Sequence, residues 1–262
     1  MSEELKSELN TLNPHLRDSR ITFDEPTHTY TIDGSSDKVM SVTTMIHSYF
    51  PHFNANETIK KMRLKGMPEK YKDMTDDEIK KLWNDNGKES SSNGTQLHKS
   101  IELFYNGDID YIYNDVIPKE FNHFLKFNES IKNRLKPYRT EWSIFRKDLF
   151  LAGQLDMLYE IIDKPGEFAL YDWKRSKEIK FENKFEKGFD GLKHLENCNY
   201  IHYSIQLNIY KRILETLYNI NVKEMTLVIL HPDNDTFIII NVYEMSKEID
   251  FLFKDRKKKI NQ

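Results

Sequence analysis

The sequence predicts an α/β fold: a central mixed five-stranded sheet flanked by helices, with a mostly helical N-terminal lobe leaning on it. Three observations predict it. Runs rich in β-branched and aromatic residues recur at 138–146, 149–162, 167–173, 225–230 and 236–242. Apolar residues return at helical spacing at Leu97, Ile101 and Phe104, and again at Ile205, Ile209, Ile213 and Leu217. The order is helix, three strands, helix, two strands, which suits a mixed sheet covered by helices.

Residues 1–20 are polar and expected to be loosely held. A hairpin is expected over 21–32, with Asp33-Gly34 supplying a turn. Short helices follow over 42–49, stopped near Pro51, and over 57–64, ending by Gly66. Thr75-Asp76-Asp77-Glu78 is a capping box, because Thr75 can cap and Glu78 can reach back. It opens a helix through Trp83. Ser90-Ser91-Ser92-Asn93 reads as a short flexible linker. A helix is then expected over 94–105 and a longer one over 119–135, with Phe121, Phe124, Leu125 and Ile131 inside and Pro137 ending it. Lys147-Asp148 and Pro165-Gly166 turn the chain between the first three strands. The charged stretch 174–196 has few apolar anchors and reads as loop or short helix. A helix over 200–218 precedes the last two strands, which His231-Pro232-Asp233-Asn234 separates. A final helix starts near Ser246, and the tail 254–259 is basic. The chain thus divides into a flexible N-terminus (1–20), a hairpin and helical lobe (21–92) and a core (93–262).

With 262 residues, 16 Phe and 14 Tyr, the chain can bury a sizeable core. No apolar run reaches the roughly 18 residues of a membrane span, and the charged start is not a secretory signal. One cysteine, Cys198, rules out an internal disulfide and fits a reducing intracellular compartment, cytoplasm or nucleus. The net charge of −3 argues against a protein coated in positive charge, but not against a local basic groove that binds phosphates.

Asp156 lies in the apolar run Leu151-Ala152-Gly153-Gln154-Leu155-Asp156-Met157-Leu158. An acid there is costly unless something uses it. Gly153 permits close approach of another backbone. Asp172 and Lys174 are two apart in the next strand and share a face. The turn at Pro165-Gly166 would bring Asp156 beside Asp172. Two carboxylates and a lysine suit metal-assisted phosphodiester cleavage: hard oxygens for Mg²⁺ or Mn²⁺, and a cation to orient water or offset charge. The same residues also fit a buried salt bridge. His98 and Glu102, four apart, offer an imidazole and a carboxylate on one helical face, or simply a surface ion pair. Gln206 and Tyr210, also four apart, are by themselves the polar flank of an amphipathic helix.

Taken in order, Gly94-Thr95-Gln96-Leu97-His98, Gly153-Gln154-Leu155-Asp156, Asp172-Trp173-Lys174 and Gln206-Leu207-Asn208-Ile209-Tyr210 resemble the PD-(D/E)XK nuclease superfamily in its RecB-type branch. The resemblance covers roughly 90–245. It is shared with the mitochondrial genome maintenance exonuclease and CRISPR-associated single-strand exonucleases. The N-terminal lobe, with Ser41-Val42-Thr43-Thr44, resembles large-DNA-virus members, which would place the protein in a host cell. The resemblance implies a restriction-endonuclease-like core and a metal-dependent DNA exonuclease preferring single strands or ends. It implies His98, Asp156, Asp172 and the Trp173 carbonyl as metal ligands, and Lys174 acting on water or the scissile phosphate. Gln206 and Tyr210 would support Lys174 and contact the nucleic-acid backbone, and Glu102 and Glu141 would stand behind the ligands. Leu155 replaces a proline before Asp156. The cysteine cluster that holds iron–sulfur in some members is absent, so no such cluster is expected.

Arg175, Lys177, Lys180, Lys184 and Lys187, interleaved with Phe181, Phe185 and Phe189, would form a nucleic-acid groove or a solvated loop; Glu182, Glu186 and Asp190 weaken the groove. Cys198 lacks any sign of activation. No phosphate-binding Gly-X-X-X-X-Gly-Lys loop is present, so the chain acts alone or with a helicase or other replication or repair proteins. Two other readings stay open: an RNA-cleaving endonuclease of the same fold, and a nucleic-acid-binding module without catalysis.

Overall fold

The computed structural model describes residues 8–108 and 118–262. Its centre is a mixed sheet. Strand β4 (Leu135–Arg146) pairs antiparallel with β5 (Leu151–Ile161), which pairs antiparallel with β6 (Glu167–Lys174). Strand β7 (Asn221–Ile229) runs parallel to β6, and β8 (Ile238–Asn241) closes the far edge antiparallel. These are the five strands expected. A sixth, β3 (Met40–Ser41), adds to the start of β5 from the N-terminal lobe, pairing Met40 with Leu151 and Ser41 with Ala152. Two residues carry no periodicity, so nothing in the sequence marks this strand. A separate hairpin, β1 (Ile21–Asp24) and β2 (Thr29–Ile32), packs through Ile21, Tyr30 and Ile32 onto Phe145 and Ala152.

Helices cover both sides of the sheet, each through its own cluster. Helices α2 (Val42–His47), α6 (Asn199–Leu217) and α7 (Ser246–Ile260) meet β5–β7 around Met45, Ile205, Ile209, Leu252, Leu158 and Leu170. Helices α4 (Asp76–Tyr105) and α5 (Lys119–Ile131) meet the sheet around Ile101, Phe121, Phe124, Phe127, Met157, Tyr171 and Trp173. Helix α3 (Ala55–Lys65) packs Ile59 against Tyr71 and Ile79, away from the sheet. Helix α6 is the crossover that the parallel β6–β7 pair requires. Among the described residues, no helix is long and apolar enough to cross a membrane.

Four local expectations are corrected. The serine run is helical, not a linker: α4 runs unbroken for 30 residues through Ser90–Asn93. The Thr75–Glu78 capping box forms at its start, and buried Leu97 and Ile101 hold its far half. Packing at one end and a cap at the other outweigh the weak helix preference of Ser and Asn. Helix α5 stops at Ile131, so Leu135 and Pro137 belong to β4, where the register shifts between Pro137 and Arg139. A proline without an N–H suits such an irregularity. The basic tail is the last turns of α7. Residues 8–20 are tied down rather than loose. Leu9 of α1 (Glu8–Leu12) is buried, Asn13 donates to the Tyr138 carbonyl at 2.9 Å, and Asp18 pairs with buried Arg139 at 2.9 Å. Residues 1–7 lie outside the described residues.

Candidate metal centre

The β5–β6 ladder runs from Glu160↔Phe168 to Met157↔Tyr171 and then stops. The next opposed residues are Asp156 and Asp172, both buried. Instead of a backbone pair, the Asp156 carboxylate accepts a hydrogen bond from the Trp173 N–H at 2.7 Å. The strand is irregular there on its other side too. Glu141 of β4, beside Asp156 in register, takes a left-handed φ of 45°, a conformation that costs a non-glycine residue about 1–3 kcal/mol. Leu155 and Leu158, three apart, both pack into the α6-side cluster. Regular alternation would send them to opposite faces. The Gln154 side chain fixes the break by donating to the Glu141 carbonyl at 2.9 Å.

His98 reaches this break from α4. Its Nδ1 lies 3.3 Å from Glu141 Oε1 and 3.7 Å from Asp156 Oδ1. Its Nε2 lies 3.1 Å from the Trp173 carbonyl, which can only accept, so that nitrogen carries a proton. Burial pushes the imidazole toward neutrality, but Asp156 and Glu141 outweigh it and hold His98 up to about 9. Burial raises Asp156, against His98 and Lys174. Burial and then Asp156 raise Asp172, against Lys174. Lys174 is itself raised: burial opposes its charge, and Asp172 and Asp156 win. Its Nζ sits 2.6 Å from Asp172 Oδ2 and 4.5 Å from the centre of the Tyr203 ring on α6.

His98, Glu141 and Asp156 form a group that could hold a metal ion: one ligand atom from each lies within 4.8 Å of the others. The donor set fits a hard divalent cation completed by an imidazole. A second observation agrees. Asp172 Oδ2 pairs with Lys174 Nζ at 2.6 Å, whereas the buried Oδ1 has no hydrogen-bond partner among the described residues. Buried carboxylate oxygens rarely go unused.

The structure therefore gathers His98, Asp156, Asp172, the Trp173 carbonyl and Lys174 at the splayed end of β5 and β6. Glu141, expected behind the ligands, lies with His98 and Asp156 in the group that could hold an ion. Glu102 pairs with Lys99 at 2.8 Å rather than with His98, and lines the cleft above. Gln206 donates to the Tyr210 hydroxyl at 3.2 Å, and both line that cleft. Besides Asp172, the ring of Tyr203, a residue the sequence reading missed, lies against Lys174. It shares a helical face with Gln206 and Tyr210, at i, i+3 and i+7, and that spacing was its signal. Arg175 pairs with Glu120 at 2.8 Å and Lys177 with Asp233 at 2.6 Å, and neither lines the cleft. Of the aromatic–basic loop after β6, Phe185 is 93% exposed, while Phe181, also exposed, lies tilted against Tyr200 with ring centres 4.7 Å apart. Burial pushes the Cys198 thiol up, away from the reactive thiolate.

The cleft over the group measures about 950 Å³ and is walled by Phe23, His28 and Tyr30 of the hairpin on one side and Gly94, Thr95 and His98 of α4 on the other. Fold and site together define a mixed α/β protein with a His–Glu–Asp group that could hold a metal ion at the floor of an open cleft. No family model matches the chain, and no curated protein matches it. Among solved structures it is similar to SSO0001, with 15% identity, 86% of this chain and 77% of that chain covered, and a TM-score of 0.35. It is also similar to a "putative exonuclease" from Eubacterium rectale, with 12% identity, 86% and 79% covered, and a TM-score of 0.40. At these scores both are likenesses only.

Proposed function

We propose that the protein is a divalent-metal-dependent deoxyribonuclease of the PD-(D/E)XK superfamily, an exonuclease that acts on single-stranded DNA or DNA ends. One observation carries this reading: Asp156 and the Asp172-Trp173-Lys174 strand meet His98 and Glu141 at one strand break under an open cleft. His98, Glu141, Asp156 and Asp172, with the Trp173 carbonyl, would hold Mg²⁺ or Mn²⁺. Such a cation, when bound, lowers the pKa of water and stabilises charge on the phosphate.

The chain's own residues divide the remaining work. Asp172 and Asp156 favour the charged form of Lys174, and we assign it as a positive charge toward a phosphate oxygen or a water. Asp172 and the Tyr203 ring hold that ammonium in place. The Trp173 N–H fixes one oxygen of Asp156 and leaves the other toward His98. Gln206 and Tyr210 face the cleft and are assigned to the nucleic-acid backbone.

The test is cleavage of end-labelled single- and double-stranded DNA with Mg²⁺, Mn²⁺ or EDTA, by the wild type and by Lys174→Ala. Cation-dependent cleavage that Lys174→Ala abolishes is the expected result, and the label pattern reads exonuclease against endonuclease action. DNA left uncut under every cation overturns the reading; labelled RNA then separates an RNA-cleaving enzyme from a binding module.

A further inference from the structure

We infer that a second pocket, at the junction of β3 and the C-terminal helix α7, is a phosphate subsite for the strand whose scissile bond lies at the metal group. The inference rests on the nuclease reading and extends it to the path of the substrate. The pocket measures about 640 Å³, and its lining includes Lys38, Arg256 and Lys259 together with Ser41, Thr44 and His28. Ser41 and His28 also line the cleft above His98, so the two hollows adjoin across these side chains. Among the described residues, no carboxylate side chain lines the second pocket.

Its cations are held in place in two different ways, Arg256 by backbone carbonyls and Lys259 by an ion pair. The Arg256 Nε donates to the Leu149 carbonyl at 3.1 Å, and one of its terminal nitrogens donates to the Lys38 carbonyl at 2.9 Å. These bonds lock the guanidinium while leaving its other N–H groups and its whole charge unspent. Among the described residues, Arg256 has no carboxylate in ion-pair reach. Lys259 lies over the Tyr49 ring, 4.5 Å from its centre, and shares Asp255 at 2.8 Å with the Tyr49 hydroxyl. Lys257, beside them on the helix, donates to the Asp148 carbonyl at 2.8 Å. The basic end of the sequence is thus part of a folded helix, bonded to the backbone at Lys38, Asp148 and Leu149 beside β3. An array of cations and hydroxyls next to a nucleic-acid cleft suits phosphodiester oxygens.

The test uses the full chain, in Ca²⁺ to hold cleavage back, and single-stranded oligothymidylates of about 4, 8 and 16 nucleotides, a span that covers common single-strand site sizes. Binding is followed by fluorescence anisotropy over a salt series. For a single strand, each phosphate contact contributes about −0.7 to the slope of log K against log salt. Arg256→Gln/Lys259→Gln should flatten the slope by about 1.4 for the longest strand and weaken its binding several-fold, leaving the shortest unchanged. Lys38→Gln/Lys259→Gln spares the Arg256 bonds and should do the same, which guards against a folding defect in the first variant. An unchanged slope on the longest strand, or equal loss at every length, overturns the subsite while the nuclease reading stands. A wild type that binds no oligonucleotide overturns both.

Discussion

Replacing Gly153 with alanine should break the connection between the metal strand and α6. Gly153 does not have a left-handed φ, so the backbone itself accepts alanine. The added Cβ would sit 2.6 Å from Tyr210 Cε1, 2.9 Å from its hydroxyl oxygen and 3.1 Å from Cζ. Something must move. β5 is held at this point by β4, Gly153 opposite Ile144, and Tyr210 is 2% exposed within the core. Such overpacking costs about 1–3 kcal/mol. For a domain of this size each kcal/mol lowers Tm by roughly 2–4 °C. If Tyr210 yields, it swings away from Gln206, and cleavage should fall with stability. The assay is urea unfolding of Gly153→Ala, Tyr210→Ala and the double variant. Tyr210→Ala alone should cost about 3–5 kcal/mol through the cavity it leaves. Since the three atoms nearest the new methyl all belong to Tyr210, Gly153→Ala should cost under about 0.5 kcal/mol in the Tyr210→Ala background, a coupling of about 1–3 kcal/mol. Additive costs, or a neutral single variant, would show that the close approach has no energetic consequence and refute the argument.

Three further outcomes are expected. His98 is raised above the ordinary histidine value to about 9, so its proton stabilises the metal-free fold below about pH 6.5 and that contribution is lost as pH climbs toward 9. Metal-free Tm should therefore decline across that window, and binding of Mn²⁺ at pH 7 should release protons, read as a buffer-dependent enthalpy; equal enthalpies in buffers of different ionisation heat would oppose it. Glu141→Gln removes a charge that crowds Asp156 but also one of the two carboxylates that hold the His98 proton, so the two effects oppose and unfolding in EDTA at pH 7 should change by no more than about 1 kcal/mol while metal affinity drops at least tenfold; a fold destabilised well beyond that with intact metal affinity would make Glu141 purely structural. Asp18 is held below its ordinary value, since bonds from Arg139 and Trp142 outweigh its burial; its stabilisation is present above about pH 4 and lost as pH falls through the depressed value. Asp18→Asn strands a guanidinium that is 3% exposed and should cost about 1–3 kcal/mol at pH 7, discounted for the half-exposed aspartate, with a smaller difference near pH 3.

Much of the fold could be read from periodicity. The five expected strands, the helical stretches over 75–83 and 94–105, the helix Asn199–Leu217 and the turn at Pro165-Gly166 all carry local signals that packing then reinforces. The errors fall where a local preference met a stronger non-local term. Four weak helix formers at 90–93 were carried by a cap fifteen residues upstream and a core contact downstream. The polar segment 8–20 is anchored by a buried arginine that lies more than 120 positions away.

The candidate site divides in the same way. Asp156, Asp172 and Lys174 declare themselves in sequence because ionisable groups inside apolar strands are expensive to bury, and two-residue spacing puts Asp172 and Lys174 on one face. Their opposition across β5 and β6 follows from a single turn. Glu141 and Tyr203 could not be placed that way. The role of Glu141 depends on a left-handed φ at a strand break, set by Gln154 and by the register with Asp156, and that of Tyr203 on how α6 lies over β6. The sequence by itself determined which side chains were too costly to be idle. Only the tertiary structure decided which of them meet, because the break in β5, the reach of α4 and the docking of α6 and α7 are settled by contacts between segments that no local pattern encodes.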